Sequence, residues 1–374
     1  RRQPRYETTE IASWRARKLG AGLVLTEGCL SLSHYHAISS GQARLSVASQ
    51  VLLRARVRVI PWQRASRRQL LTFLTEEAIA CLEETVLKGQ RLAILHHRKG
   101  SFRLISCKNC DHCFPCPDCA LPMVPLEKTK SLACRFCGQN FPLPEKCPAC
   151  GSKKIIWRGT GLHNILQSLK KAYPHLEIAT VTAEEKMPSN PSAQIFLGTL
   201  ALEEIMEEIA PALLLIPAAD AFLNLPDYRS EERFFCLVNR CRQKMPPEAT
   251  VLLQTYNPGL PLFQSLVANN DQLFYEKELQ LRRQLAYPPF TTLLKIEIET
   301  RPEKKLDKQR RVLEELFSRC QMEPVYNGPG YPPVIRKHYR WKYLFKLASL
   351  ENLKRLRPAS EMPEVSLTFN PVEM

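Results

Sequence analysis

Eight cysteines between Cys107 and Cys150 form four C-x2-C pairs, and no other feature of the sequence constrains the fold as strongly. Each pair can place two thiolates on one tetrahedral Zn²⁺, so eight thiolates fit two closed four-cysteine sites. A closed site leaves no position for water, which indicates a structural rather than a catalytic role. The predicted zinc ligands are Cys107, Cys110, Cys116, Cys119, Cys134, Cys137, Cys147 and Cys150.

The alternative to two zinc ions is a set of four disulfides. Nine of the 14 cysteines cluster in this stretch, and residues 1–30 hold no signal-like apolar block, which favours an intracellular metal site and a cytoplasmic location. Gly138 and Gly151 each follow a pair, where a positive φ aims backbone N–H groups at sulfur, and Asp111 holds the equivalent place after Cys110. Cys113 lies off the pattern and is expected to be a bystander. Spacing alone leaves nested, sequential and crossed pairing open.

Charge is unevenly distributed along the 374 residues, whose formal net charge is +16. Residues 1–70 hold 13 Lys and Arg against 3 Asp and Glu, which favours a polyanionic partner, nucleic acid before a membrane surface. The alternative is a soluble protein with one basic face. A hydrophobic content of 44% excludes simple disorder, and no apolar run is long enough for a transmembrane helix. Because residue 1 is Arg rather than Met, we expect a piece of a longer chain.

Helix and strand signals alternate on both sides of the cysteines, which predicts an α/β fold with a parallel sheet and flanking helices. The cysteine-rich module would be an insertion in that sheet domain. Residues 22–25 (GLVL) predict a short buried strand, and residues 70–88 predict a helix. After residue 290 the pattern changes to short strands and a helix, which predicts a separate C-terminal α+β domain.

A basic and aromatic stretch, residues 336–346, holds five Lys and Arg, four aromatic residues and no acid. Basic side chains neutralise phosphates, and Tyr339 and Trp341 could stack on exposed bases. The alternative is a strand whose alternate aromatic side chains are core, as we expect for Phe345 and Leu347. The candidate DNA-binding residues are Arg336, Lys337, Tyr339, Arg340, Trp341, Lys342 and Lys346.

These motifs together resemble the primosomal protein N′ (PriA) family of bacterial replication-restart helicases. The resemblance covers nearly the whole chain and roughly the C-terminal half of the family. Besides the cysteine spacing, the matching stretches are residues 150–152, 159–161, 220–229, 232–233, 254–258, 278–283, 287–290, 328–329 and 339–342, with residues 5–6 and 15–16 near the start.

The resemblance implies an organisation and a set of partners. It assigns residues 1–60 to a remnant of the first helicase lobe, 61–106 and 156–275 to the second lobe, 107–155 to a two-zinc module and 276–374 to a DNA-binding α+β domain. It implies nested zinc sites, with Cys107, Cys110, Cys147 and Cys150 on one ion and Cys116, Cys119, Cys134 and Cys137 on the other. The implied partners are forked or single-stranded DNA, primosome proteins and single-strand-binding protein, with no membrane.

The sequence departs from the family where ATP hydrolysis is concerned. It contains no G-x-x-x-x-G-K-[ST] loop to cradle phosphates, and the resemblance places the family's Asp-Glu pair just before Arg1, outside this sequence. Gln243 stands where the resemblance places the first arginine finger, and Pro246 and Pro247 replace the region of the second. Arg240 or Arg242 could substitute only after a register shift.

We therefore predict no catalytic residue in this chain, and ATP with Mg²⁺ only if an intact first lobe is supplied. The preferred hypothesis is a degenerate replication-restart protein that binds DNA or primosome partners. The alternatives are an active ATP-dependent 3′→5′ DNA helicase completed by a missing N-terminal half, and a zinc-stabilised protein-interaction module unrelated to DNA.

Overall fold

The computed structural model describes most of the chain, and its residues fall into two compact units. The sheet unit is Ser46–Phe274, and the terminal unit is Arg1–Leu45 with Tyr275–Met374. The described residues are 8–46, 55–62, 71–97, 104–117, 123–126, 131–133, 139–158, 162–183, 190, 192–225, 227–301, 303–335, 338–348 and 355–371.

A parallel sheet of six strands forms the centre of the sheet unit. Its strands are β1 (Arg56–Pro61), β2 (Leu92–Leu95), β8 (Ile178–Val181), β9 (Ile195–Gly198), β10 (Leu213–Ile216) and β11 (Thr250–Thr255). They lie in the order β1-β11-β10-β2-β9-β8, and every neighbouring pair is parallel. All four residues of β2, β9 and β10 are buried, as expected for strands covered on both faces.

Helices flank this sheet. They are α3 (Glu76–Leu87), α4 (Leu162–Ala172), α5 (Met206–Ile209), α6 (Asp220–Leu223), α7 (Ser230–Lys244) and α8 (Pro261–Ala268), with a 3-10 turn at Leu200–Glu203. Of these, α3, α4 and α8 contact its strands directly. Helix α3 begins later than residue 70 because Thr75 caps it: the Thr75 hydroxyl accepts the Ala78 N–H at 3.2 Å. The predicted α/β architecture with a parallel sheet and flanking helices is therefore confirmed.

The cysteine-rich module lies between strand β2 and helix α4, as an insertion in the sheet unit. It holds a two-stranded antiparallel sheet, β3 (Leu104–Cys107) with β7 (Ile155–Arg158). It also holds a three-stranded sheet of β4 (Val124–Leu126), β5 (Ser131–Ala133) and β6 (Asn140–Pro142). The module has its own small core, which includes Ile105, Phe114 and Leu132.

The C-terminal part of the terminal unit is an antiparallel sheet in the order β13-β14-β12-β15. The strands are β12 (Thr292–Thr300), β13 (Tyr326–Ile335), β14 (His338–Leu347) and β15 (Val365–Phe369). Helix α10 (Glu303–Arg319) packs on β12 and β14, and α11 (Arg357–Glu361) packs on β15. Both helices share one core with the same face of the sheet. In chain order this is βαββαβ, the split βαβ arrangement.

The other helices of this unit are α1 (Thr8–Leu19), α2 (Leu32–Ser39) and part of α9 (Asp271–Gln284), within which the division between the units falls. The predicted buried strand at residues 22–25 is wrong: these residues have no regular structure, and Val24 is 87% exposed. An apolar, β-type composition forms a strand only where a neighbouring strand pairs with it. In the described parts of the chain, no helix is long and apolar enough to cross a membrane.

The proposed domain boundaries of the sequence analysis remain predictions. Strand β1, most of which falls in the range assigned to a first-lobe remnant, pairs with β11 in the parallel sheet of the sheet unit. Residues 8–45 instead belong to the same compact unit as the C-terminal α+β domain.

Candidate metal centre and nucleic-acid interface

Two similar turns present the outer cysteine pairs. In the first, the Cys107 N–H donates to the His112 carbonyl, and the Asp111 N–H donates to the Cys107 carbonyl at 3.1 Å. In the second, the Cys147 N–H donates to the Ser152 carbonyl, and the Gly151 N–H donates to the Cys147 carbonyl at 2.8 Å. The residue after each pair has positive φ, 56° at Asp111 and 71° at Gly151. The two turns are therefore the same knuckle built twice.

These knuckles bring four thiols together. The Sγ atoms of Cys107, Cys110, Cys147 and Cys150 all lie within 4.8 Å of one another. The Cys107–Cys150 separation is 3.5 Å and the Cys110–Cys147 separation is 3.6 Å. Four sulfurs on a tetrahedral zinc with bonds of about 2.3 Å would stand about 3.8 Å apart. A disulfide would need about 2.05 Å, so the arrangement fits one metal ion and does not match disulfides among these four.

The electrostatics of the cluster also suit a cation. Burial raises the pKa of the Cys107 thiol, but N–H donors from Cys110 and Asn109 and the neighbouring thiols outweigh it and lower that pKa to about 6. The Asn109 N–H donates to the Cys107 sulfur at 3.3 Å. The His112 N–H favours the Cys110 thiolate. Hydrogen bonds with the Cys150, Cys147 and Cys107 thiols, together with burial, outweigh it and raise the pKa of Cys110 to about 12. Four thiolates this close repel one another unless a dication neutralises them.

The second predicted zinc site is only partly described. Cys116 is buried in the module core beside Phe114. Cys119, Cys134 and Cys137 lie outside the described residues. Cys113, the expected bystander, places its thiol toward the Asp111 carbonyl at 3.8 Å and is not among the four clustered ligands.

The candidate DNA-binding residues divide between the two faces of the C-terminal sheet. Tyr339 and Trp341 lie on the helix side and pack against the core. The Arg310 guanidinium stacks 3.7 Å from the Trp341 ring, and the indole N–H donates to the Asn327 side chain at 2.8 Å. These contacts favour the alternative in which the aromatic side chains are part of the core over the alternative in which they stack on DNA bases.

The basic candidates lie on the opposite face. Because side chains alternate along β14, Arg340, Lys342 and Lys346 point away from the helices. Arg340 donates to Glu297, and the Lys342 ammonium lies 4.8 Å from the Tyr326 ring. The Lys346 ammonium lies 4.2 Å from the Tyr287 ring. Arg336 and Lys337 fall outside the described residues.

Helix α7 carries the two arginines nearest to the expected finger position, and both are engaged. Arg240 makes two hydrogen bonds to the Glu203 carboxylate, at 2.7 and 3.0 Å. Arg242 is 3% exposed and donates to the Ala55 carbonyl and to the side chains of Asn239 and Asn269. A guanidinium with its donors satisfied in this way is not presented to a phosphoryl group.

Sequence reasoning missed the partners that fix these side chains. Glu203, Glu297 and Arg310 each contact a candidate residue from another element. The residues next to them in the sequence form no motif that would predict these contacts, because the contacts arise from tertiary packing.

Comparison with known proteins finds several that are similar to this chain. No family model matches the chain. Replication restart protein PriA of Bacillus subtilis is 27% identical over 91% of the chain and 44% of that relative. The PriA proteins of Borreliella burgdorferi and Haemophilus influenzae are 24% and 26% identical, each over 94% of the chain and over 56% and 50% of their own lengths. The chain spans about half the length of the curated relatives it matches. Along more than nine-tenths of its length the chain is therefore similar to replication restart protein PriA, and it fits the C-terminal part of such a protein.

Proposed function

We propose that this chain is a zinc-binding part of a bacterial replication-restart protein that binds forked or single-stranded DNA without hydrolysing ATP. The observation that carries the proposal is the four-thiol cluster, inserted in a parallel-sheet domain of a chain that matches PriA almost throughout. Primosome proteins and single-strand-binding protein are the partners that this role implies. The location that fits it is the bacterial cytoplasm.

Two zinc ions hold the module together in this proposal. Cys107, Cys110, Cys147 and Cys150 hold one ion, supported by their mutual distances. Cys116, Cys119, Cys134 and Cys137 hold the other, supported by their spacing. Zinc in a closed four-thiolate site supplies folding free energy and no chemistry. The knuckle N–H groups of Asn109 and Cys110 stabilise the Cys107 thiolate that such an ion needs.

The proposed loss of ATP hydrolysis is supported by the arginines of helix α7. An arginine finger contributes about 10³–10⁵ to the rate of phosphoryl transfer. Arg240 is paired with Glu203 and Arg242 is buried against Ala55, so neither is positioned for that role.

ATP hydrolysis by the zinc-loaded chain, with and without forked DNA, tests the proposal that these 374 residues do not hydrolyse ATP by themselves. We expect phosphate release equal to the protein-free background in both conditions. A known DNA-dependent ATPase in the same buffer is the positive control. DNA-stimulated turnover that survives further purification, and is absent from a preparation of the same chain denatured beforehand, would refute the loss of activity.

A further inference from the structure

The four clustered thiols of the two knuckles differ in their access to solvent. Cys107 and Cys147, the first cysteine of each knuckle, are 0% and 2% exposed. Cys110 and Cys150, the second cysteine of each knuckle, are exposed. Because oxidation of a cysteine follows its thiolate character and its exposure, two of these four sulfurs are open to attack by a small oxidant.

Each exposed sulfur has a buried sulfur of the other knuckle beside it. Cys150 lies 3.5 Å from Cys107, and Cys110 lies 3.6 Å from Cys147. The S–S bond of a disulfide is about 2.05 Å long, so either pair would have to close by about 1.5 Å. Both pairs cross from one knuckle to the other, and these contacts therefore favour bonds between the knuckles over bonds within one C-x2-C pair.

Backbone contacts also hold the two knuckles together, independent of sulfur. The Lys108 N–H donates to the Lys154 carbonyl at 2.8 Å. Cys107 lies opposite Ile155, where strand β3 pairs with β7. A disulfide between the knuckles would therefore link two turns that are already adjacent, and it is compatible with the pairing of β3 with β7.

We propose that the four-thiol cluster is an oxidation-sensitive site, in which hydrogen peroxide converts an exposed cysteine and its buried neighbour into a disulfide between the knuckles. The sulfur of Cys150 or Cys110 attacks one peroxide oxygen and the O–O bond breaks, which leaves a sulfenic acid and hydroxide. The thiolate of Cys107 or Cys147 then attacks that sulfur and displaces a second hydroxide. Two thiolates lose two electrons, one peroxide gains them, and two protons from solvent convert the two hydroxides to water.

Oxidation changes the capacity of the cluster for metal, so this inference rests on the zinc site of the proposed function. A closed zinc site needs four thiolates, and a disulfide removes two of them. Cys116, the described member of the second predicted site, is 1% exposed and lies in the module core. We therefore expect the chain to lose one of the two proposed ions, while the new disulfide keeps the knuckles joined.

Zinc release and disulfide mapping on the zinc-loaded chain test the proposal. We expect an excess of hydrogen peroxide to release about one zinc ion per chain, counted with a colorimetric chelator. Trypsin separates the sites, because residues 104–108, 109–128 and 147–153 become different peptides. Mass spectrometry should find the peptide 147–153 linked to 104–108 or, through Cys110, to 109–128. Dithiothreitol with added zinc should restore the zinc content, as it would not after oxidation to sulfinic acids.

Two other cysteines provide the controls. Cys113→Ser changes the knuckle thiol that lies outside the cluster, and this variant should release zinc as the unmodified chain does. Cys241 is 0% exposed and should remain a thiol throughout the treatment.

The outcomes separate this inference from the zinc site on which it depends. Zinc that stays bound through the peroxide treatment would overturn the inference and leave the zinc site in place. So would zinc release with a disulfide inside residues 107–110 or 147–150, or a release that Cys113→Ser abolishes. A chain that holds no zinc before oxidation would instead refute the proposed zinc site, and this inference with it.

Discussion

The backbone conformations of Asp111 and Gly151 could be predicted from the sequence. The sequence predicts that both follow a C-x2-C pair and adopt the same positive φ, and the structure has 56° and 71° there. Asp tolerates this region because its short side chain can hydrogen-bond locally, whereas other residues with Cβ pay about 1–2 kcal/mol. The positive φ of these two residues could be predicted because the knuckle itself requires it and no distant contact is needed to produce it.

Individual cysteines give the first prediction. Cys147→Ser removes one ligand of the four-thiol cluster, so native mass spectrometry should show one zinc ion fewer than in the unmodified chain. Cys113→Ser is the matched control, because that thiol contacts a backbone carbonyl instead of the cluster, and its zinc content should not change. Equal zinc content in all three proteins would contradict the assignment of ligands.

Elements were predicted well where their residues carry a complete local pattern. The predicted parallel sheet with flanking helices is formed by buried apolar runs such as Leu213–Ile216 and by helices such as Ser230–Lys244. Helix α3 begins where Thr75 caps it, a start that helical spacing alone does not determine. Residues 22–25 have the apolar composition of a strand, but they pair with no strand in the described part of the chain. The division of β14 into an aromatic face and a basic face follows from strand alternation, but Arg310 on the Trp341 ring required the tertiary structure.

The contact between the 3-10 turn and helix α7 gives a pH-dependent prediction. Burial raises the pKa of Glu203, but Arg240, with Lys244, outweighs it and holds that pKa below its usual value. The folded state thus binds this proton less readily than the unfolded state. The stabilisation is therefore complete above the unfolded pKa of about 4.3 and is lost as pH falls through the lower folded value.

Glu203→Gln should therefore destabilise the protein by about 1 kcal/mol near pH 7, a modest figure because Arg240 is 40% exposed. Urea unfolding measures the difference, which should shrink as the pH is lowered below about 4.3. A matched Glu204→Gln variant changes a neighbouring acid outside the Arg240 pair. A loss of unfolding free energy in Glu203→Gln that is the same near pH 7 and below about pH 4.3 would contradict the ion-pair explanation.

At the scale of the whole molecule, the cores of the module and of the parallel sheet are separate clusters. We expect a strong zinc chelator to unfold the module while the sheet persists, since structural zinc supplies the module's folding free energy. Hydrogen exchange should show lost protection in residues 104–117 and 139–158 and retained protection in β9 and β10. Retained protection in both regions would contradict a structural role for the metal.

Net charge connects the whole chain to its proposed partner. If the proposed two Zn²⁺ were held by eight thiolates, the formal charge of +16 would fall by four, and the chain would stay strongly basic. The excess in residues 1–70 suggested nucleic acid from composition alone.

Binding of forked DNA by the zinc-loaded chain across a series of salt concentrations tests the proposed function most directly. Phosphate contacts release counterions, so the account predicts measurable affinity at low salt and a linear fall of log K with log salt, with a slope of several units. An absent affinity, or one that does not change with salt, would contradict a role in DNA binding and favour an interaction module unrelated to DNA.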